Sequence, residues 1–228
     1  MATKEKDTNK ELEVEEIVSR SEQFIENNSK KIIYGIIALA LVVGAVLGIK
    51  HGYLIPQEKK AAAAMFKGEQ YFAKDSFNLA LNGNGADYEG FEAIIDQDAS
   101  TSAGNFAKAY AGICYFTLGA NEIALDLLKS FSGSDDMISP AITGLIGDCY
   151  VNMGNVKEGI SYFEKAAKQA SNEVISPTYL KKAGIAYESL KQYGDAVKAY
   201  TTIKEKYFNS MEASDIDKYI TRASALNK

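Results

Sequence analysis

Few residues in this chain carry the side chains that enzymes use for catalysis or for binding a metal. Its one histidine, His51, stands at the end of an uncharged apolar stretch. A catalytic or metal-binding histidine works with further ligands or with an orienting partner, and the apolar sequence around His51 offers neither. The motifs that bind metals, activate nucleophiles or cradle phosphates are not found either. We therefore expect neither catalysis nor a cofactor.

The two cysteines are the other reactive side chains. Cys114 and Cys149 are 35 residues apart and each directly precedes a tyrosine, so they stand at equivalent points of a repeated pattern. Neighbouring helices pack roughly 8–10 Å apart, whereas a disulfide requires Cα atoms within about 7 Å. We expect both cysteines to be unpaired and buried, like other small apolar residues. The segment NGNGADYEG lacks the carboxylate spacing of a calcium loop and is interpreted as a turn.

A continuous apolar stretch separates the first residues from the rest of the chain. No charged side chain occurs from Ile32 to Ile49, within KKIIYGIIALALVVGAVLGIKHGYLIP. Such a helix reaches the lower limit for crossing roughly 30 Å of hydrocarbon, and Pro56 supplies a stop beyond it. The preceding segment holds six Lys/Arg and eight Asp/Glu, unlike the short basic start of a cleavable signal. We predict a permanent anchor, a transmembrane signal-anchor helix over 32–55.

The anchor divides the chain into a predicted acidic tail, residues 1–31, and a predicted domain, residues 57–228, which is long enough to bury its own core. The flanking basic residues do not decide the orientation. A single anchor near the N-terminus usually leaves the short tail in the cytoplasm and carries the long part across. Apolar residues at helical spacing in the tail predict either a docking helix for a cytoplasmic partner or a solvated acidic helix. They are Val14, Ile17, Val18, Ser21 and Ile25.

The domain repeats itself with a period of 35–37 residues, the signature of a repeat architecture. Ser139-Pro140 and Ser176-Pro177 are 37 residues apart, and each serine is predicted to cap a helix that begins at the proline. Glycine follows each proline after seven residues and tyrosine after ten, and the same glycine–tyrosine spacing recurs one unit earlier. The residues expected to pack the units are Gly112, Tyr115, Gly119, Gly147, Tyr150, Gly154, Phe163, Gly184, Tyr187 and Tyr200.

The types of these residues suit helix packing. A small residue lets two antiparallel helices approach closely, a tyrosine fills the space between pairs, and a turn glycine allows positive φ. The first helices of stacked pairs line a concave surface that commonly binds partners. Residues of the first helices that face away from the packing side either contact a partner or are covered by neighbouring helices. These candidates are Phe106, Ala109, Ile113, Phe116, Asp148, Val151, Asn152, Lys181, Ile185 and Glu188.

The pattern resembles the tetratricopeptide repeat (TPR): a small residue, a tyrosine three later, a turn glycine, then a small residue and an aromatic four apart. The resemblance covers roughly residues 103–208, and KEGISYFEKAAK and GDAVKAYTTIKEKY are its clearest second helices. Lys191 stands where a turn glycine is expected, and Asn209 where such repeats often have proline. The implied fold is all-α, with an N-terminal transmembrane helix followed by a TPR-like α-solenoid. The implied function is protein binding by a scaffold.

The layout of the whole chain resembles the YfgM-type ancillary subunits of the bacterial Sec translocon. ENNSKKIIYGIIALALVVG is followed at once by an Ala-rich helix and a C-terminal repeat domain. This resemblance implies an inner-membrane protein with a periplasmic domain, and a chaperone-like role in protein transport. Its implied partners are SecYEG and a membrane-anchored periplasmic chaperone of the PpiD type.

Three alternatives stay open beside that resemblance. One is a scaffold of another cell-envelope complex, such as division or outer-membrane assembly. The others are an enzyme with an unrecognised site and a membrane-bound signal sensor. A nucleic-acid partner is not expected, because the net charge is −5 and phosphate binding requires clustered Lys and Arg.

Overall fold

The computed structural model describes residues 27–227 of the chain. The predicted acidic tail therefore lies almost wholly outside the described residues, as do the apolar positions that raised the question of a docking helix. All regular secondary structure within 27–227 is helical. The predicted all-α class is confirmed.

The first of two compact units ends at Pro56, and its described part is one apolar helix. Helix α1 spans residues 27–49, and one π-helical turn, Lys50–Leu54, follows it. The apolar side chains are exposed around the helix, for example Leu41 at 70% and Val42 at 60%. The helical stretch Asn27–Phe72 contains a segment that is long and apolar enough to cross a membrane, by length and composition alone. In the π-helical turn, His51 Nδ1 lies 3.1 Å from the carbonyl oxygen of Leu47.

The second unit begins at Gln57 and consists of antiparallel helices that pack in chain order. Three helix pairs correspond to the three predicted units, and each pair consists of a first and a second helix. The helices are α2 (Ile55–Phe72), α3 (Phe77–Asn82), α4 (Phe91–Asp98), α5 (Ser102–Thr117), α6 (Asn121–Ser130), α7 (Ile138–Asn152), α8 (Val156–Ala170), α9 (Ile175–Ser189), α10 (Tyr193–Lys206) and α11 (Ile216–Leu226). A 3₁₀ turn, Glu212–Asp215, precedes α11.

Helix pairs α5–α6, α7–α8 and α9–α10 are the three units found in the sequence, and elements at both ends cover them. At the N-terminal end, a core of α2, α3, α4 and α5 surrounds Phe91, which is fully buried. Phe91 stacks on Tyr110 of α5 with ring centroids 5.3 Å apart. At the C-terminal end, Ile216 and Ala223 of α11 pack against α10. Burial at both ends protects the apolar faces that a terminal repeat otherwise exposes.

The predicted serine caps are wrong. Helix α7 begins at Ile138 and α9 at Ile175, so Ser139 and Ser176 lie within the first turns and are buried. The free N–H groups are instead bound by side chains further upstream. Asp135 accepts hydrogen bonds from the backbone N–H of residues 137–139. The side-chain oxygen of Asn172 accepts from residues 174 and 175. An acidic or amide oxygen a few residues earlier reaches more donors than a hydroxyl inside the turn.

Asp135→Ala is expected to lower the thermal unfolding temperature, because it removes the acceptor at the start of α7. The hydrogen bond from Ser139, partly opposed by desolvation and helped by the backbone N–H groups, lowers the pKa of Asp135 from 3.8 to about 2. A lowered folded-state pKa stabilises the fold above the unfolded-state value, and that contribution is lost as the pH falls from about 4 towards 2. Thermal unfolding at pH 7 and pH 3 measures both effects.

The neighbouring substitution Asp136→Ala is the control, because the Asp136 carboxylate makes no hydrogen bond to any of residues 27–227. It should leave the unfolding temperature nearly unchanged. An equal loss in both variants, or a loss in Asp135→Ala that does not shrink at low pH, contradicts the role of Asp135 as a cap.

Candidate functional site

Close contacts of glycine set the distance between the two helices of each pair. A Cβ placed on Gly112 would lie 2.7 Å from the side chain of Leu128, and one on Gly147 would lie 2.7 Å from the ring of Phe163. For Gly184 the distance to the Tyr200 ring is 2.2 Å. In the turns that follow the first helices, Gly119 and Gly154 have φ of +83° and +82°, and Lys191 adopts φ +59° at the third equivalent position.

Each repeat tyrosine contacts the second helix of the preceding pair through its hydroxyl. Tyr115 donates to Glu92 of α4, and Tyr187 donates to Glu164 of α8 at 2.7 Å. Tyr150 instead accepts from Lys129 Nζ of α6 at 2.6 Å. Helix α4 thus takes the place of a second helix for a unit that begins with α2. The hydrogen bond to Glu92, with burial, raises the pKa of Tyr115 to about 12.

The apolar candidates on the first helices differ widely in exposure. Phe106 on α5 is 39% exposed and Ile185 on α9 is 47% exposed, while Ala109 is buried at 4%. Ile113, Phe116 and Val151 are partly buried. The surface of the first helices therefore presents large apolar side chains at both ends of the three pairs.

The charged candidates are held by neighbouring first helices and by the elements that follow α10. Asp148 of α7 binds Lys182 of α9 at 2.6 Å, and Lys181 binds Asp215 at 2.8 Å. Asn152 is uncharged, and its side-chain amide donates a hydrogen bond to Asn121 of α6 at 3.0 Å. These contacts neutralise charges across adjacent units, so an incoming partner would meet few free charges there.

Glu188 is the most constrained of the charged candidates. Arg222 of α11 binds it through two nitrogens at 2.8 and 2.9 Å, and the hydroxyl of Tyr200 donates to it at 2.7 Å. Desolvation alone would raise the pKa of Glu188, but the bonds from Arg222 and Tyr200 outweigh it and lower the pKa. This arrangement joins α9, α10 and α11 and keeps Glu188 charged.

A cavity of about 360 Å³ extends the same surface towards the N-terminal end, between α2 and α5. Its apolar lining includes Ala62, Met65, Phe66 and Phe106, and Phe66 is 61% exposed. Phe66 was not among the predicted candidates, because α2 precedes the recognisable repeats. The spacing of Ala62, Met65, Phe66 and Glu69 on one helix was the signal that could have revealed it.

The cysteines have no partner for chemistry among the described residues. Both are free and buried, which confirms the prediction that they are small apolar core residues. Burial raises the pKa of Cys114 to about 12 and that of Cys149 to about 11. A thiol with such a pKa stays protonated at neutral pH and is a poor nucleophile.

The class of protein that these helix pairs define is a TPR-like α-solenoid. A family model described as tetratricopeptide repeat matches residues 144–173. A crystal structure of MamA protein is 17% identical, with a TM-score of 0.53, and the match covers 73% of this chain and 91% of that one. TPR-like repeats from Podosopora anserina, described as kinesin light chain, are 15% identical with a TM-score of 0.50, covering 76% and 86%. No curated protein matches the sequence significantly.

These likenesses establish the fold. TPR proteins are generally interaction scaffolds rather than enzymes, and the concave surface of a solenoid is a binding surface for proteins. The fold therefore favours protein–protein interaction as the kind of function.

Proposed function

We propose that this chain is a membrane-anchored protein-interaction subunit that works beside the Sec export channel in a chaperone-like role. Residues 1–31 would lie in the cytoplasm, residues 32–55 would cross the inner membrane, and residues 57–228 would face the periplasm. The partners would be SecYEG and a membrane-anchored periplasmic chaperone of the PpiD type. The overall layout of anchor, Ala-rich helix and repeat domain supports this proposal.

The anchor is supported by exposure as well as by composition. A soluble core helix buries at least one apolar face, whereas α1 exposes side chains such as Leu41 and Val42 by more than half. Lipid is the environment in which such a surface is stable. Anchoring also raises the local concentration of the repeat domain at the membrane, so that weak contacts suffice for binding.

The observation that carries the interaction role is the exposure of Phe66 and Phe106, which line the same cavity between α2 and α5. Ile185 is a further exposed apolar side chain on a later first helix. Large exposed apolar side chains that lie near one another commonly mark protein-binding surfaces. The ion pairs Asp148–Lys182 and Lys181–Asp215 neutralise charges on the first helices α7 and α9. The surface therefore suits an extended apolar segment, such as a newly exported chain that has not folded, better than a strongly charged peptide.

Photo-crosslinking in intact cells tests this proposal with the full chain. A photoreactive phenylalanine at Phe106 is expected to crosslink channel subunits, a PpiD-type chaperone or exporting chains several-fold more than the same residue at Lys198. Lys198 is the matched control, because its side chain is 80% exposed and lies on a second helix. Mass spectrometry of the crosslinked species measures the difference.

The outcomes separate the alternatives. If crosslinks from Phe106 enrich a division or outer-membrane assembly complex, that complex is the partner instead of the Sec channel. The scaffold role is then unaffected. Equal crosslinking at Phe106 and Lys198 would refute the concave surface as the binding site.

A further inference from the structure

Helix α6 is shorter than the second helices of the two pairs that follow it. It ends at Ser130 after 10 residues, whereas α8 has 15 and α10 has 14. Buried residues occupy the last turns of those two helices, namely Ala167 and Ala170 in α8 and Ile203 in α10. The chain after Ser130 leaves the helix instead, so that the corresponding space beside α7 is not filled.

The space left by the missing turn is a cleft of about 350 Å³ between α6, α7 and α8. Its apolar floor consists of Leu128, Ile142 and Ile146, each no more than 6% exposed. A volume of this size is at the lower end for small-molecule sites, which are typically about 300–1,000 Å³. The cleft can therefore hold a small ligand with a short apolar portion.

The wall of the cleft is fixed by hydrogen bonds. The side-chain amide of Asn105 donates to the carbonyl of Ser132 at 2.7 Å and accepts from its N–H at 2.9 Å. Gly133 packs so closely that a Cβ there would lie 2.3 Å from Ser139 Oγ. On the opposite side, Thr143 donates to Gln169 at 3.0 Å. These bonds keep the cleft preformed, which lowers the entropic cost of binding.

The rim of the cleft is cationic. Lys129 Nζ lies 4.9 Å from the centre of the Tyr150 ring, and Lys165 Nζ lies 5.8 Å from that of Tyr162. The two rings stack with centroids 5.3 Å apart. Within residues 27–227 neither lysine belongs to an ion pair, although the negative charge of Asp126 acts on Lys129. Among the described residues, no Asp or Glu lines the cleft.

The positive charge is specific to this unit. Lys129 takes the position that Glu92 and Glu164 occupy in the flanking units, where each accepts from the repeat tyrosine. Asp135, which binds Ser139 near the cleft, also accepts backbone N–H groups at the start of α7. Its negative charge is thus directed into a helix terminus, where the helix dipole offsets it.

We propose that this cleft binds a short aliphatic carboxylate, with the carboxylate at Lys129 and Lys165 and the aliphatic portion over Ile142 and Ile146. The shape of the cleft provides the apolar contact, and the two ammonium groups provide charge-assisted hydrogen bonds. The residues proposed to contact the ligand are not among the candidate residues of the concave surface, and the site does not depend on a role in protein export.

Hexanoate is the probe, titrated into the full chain held in lipid nanodiscs with ¹³C-labelled isoleucine methyl groups. The methyl resonances of Ile142 and Ile146 are expected to shift with a Kd on the order of 1 mM, while Ile203 in the filled equivalent space does not respond. The methyls of Ile36 and Ile37 in α1 report any partition of hexanoate into the lipid.

Lys129→Gln and Lys165→Gln are each expected to weaken hexanoate binding by about three- to tenfold. Lys168→Gln on α8 is the matched control, because Lys168 is exposed and does not line the cleft. These surface substitutions preserve the core, and their unchanged spectra without ligand would show intact folding.

Three results would overturn the proposal. Hexanamide that shifts Ile142 and Ile146 as strongly as hexanoate would remove the role of the carboxylate. Acetate that binds as tightly as hexanoate would reduce the site to a general anion contact and remove the role of the aliphatic portion. Absence of any shift at these two methyls would show that the cleft does not bind this class of ligand.

Discussion

Tyr200→Ala is expected to lower the free energy of unfolding by about 3–5 kcal/mol, in the range measured when a buried aromatic side chain is removed. Tyr200 is fully buried and packs its ring against the close approach at Gly184. Its ring centroid lies 5.3 Å from that of Tyr219 on α11. The substitution leaves a cavity where α9, α10 and α11 meet. Denaturant unfolding followed by circular dichroism measures the loss.

The effect should be local in this solenoid, because each unit contacts mainly its neighbours. Amide hydrogen exchange is expected to accelerate in α10 and α11 and to stay unchanged in α5. Tyr200→Phe is the matched control, since it keeps the ring and removes only the hydrogen bond to Glu188 at 2.7 Å. It should cost about 1.5–3 kcal/mol, the range for a hydrogen bond to a charged group. A loss below about 1 kcal/mol in Tyr200→Ala, or uniform exchange along the domain, would contradict this account of the packing.

Gly144→Ala is expected to destabilise the domain by about 1–3 kcal/mol through overpacking. A Cβ on Gly144 would lie 2.0 Å from two ring atoms of Tyr179, and Tyr179 is held in place by its hydrogen bond to the carbonyl of Ala141 at 3.0 Å. Helix propensity acts in the opposite direction, because alanine is favoured over glycine by about 0.5–1 kcal/mol inside a helix. Steric overlap between α7 and α9 is expected to be the larger effect.

Gly194→Ala is the matched control, because its Cβ would meet nothing closer than 3.5 Å. It should leave stability unchanged or raise it. The double variant Gly144→Ala with Tyr179→Leu tests the contact directly, since a smaller side chain at 179 leaves room for the added methyl group. A destabilisation equal to the sum of the single effects would show that the two residues are not coupled.

The sequence was sufficient to predict the class of fold and the positions of the units. Helical spacing is a local property, and the recurring glycine and tyrosine revealed the period without knowledge of any contact. The apolar stretch that forms most of α1 could also be predicted, because its length can be read directly from the run of uncharged residues. The turn glycines Gly119 and Gly154 could also be predicted, because the preference for positive φ is a property of glycine itself.

Helix starts were predicted less well. Ser139 and Ser176 have the side chains of good caps, but Asp135 and Asn172 perform that role. The choice depends on the path of the chain between pairs, which brings an upstream carboxylate or amide to the free N–H groups. The Ser-Pro pattern does not contain information about that path, which is why the predicted starts are later than the observed ones.

In the candidate site, too, the sequence determined some features and the tertiary structure determined others. The sequence placed Asp148, Lys181 and Glu188 on first helices, and tertiary structure then decided that each pairs with a residue 34 positions away. The cleft beside the end of α6 was likewise decided by packing, because residues of α6, α7 and α8 line it together. Local spacing determines which residues share a helix face, whereas the stacking of helix pairs determines which charges meet and which space stays open.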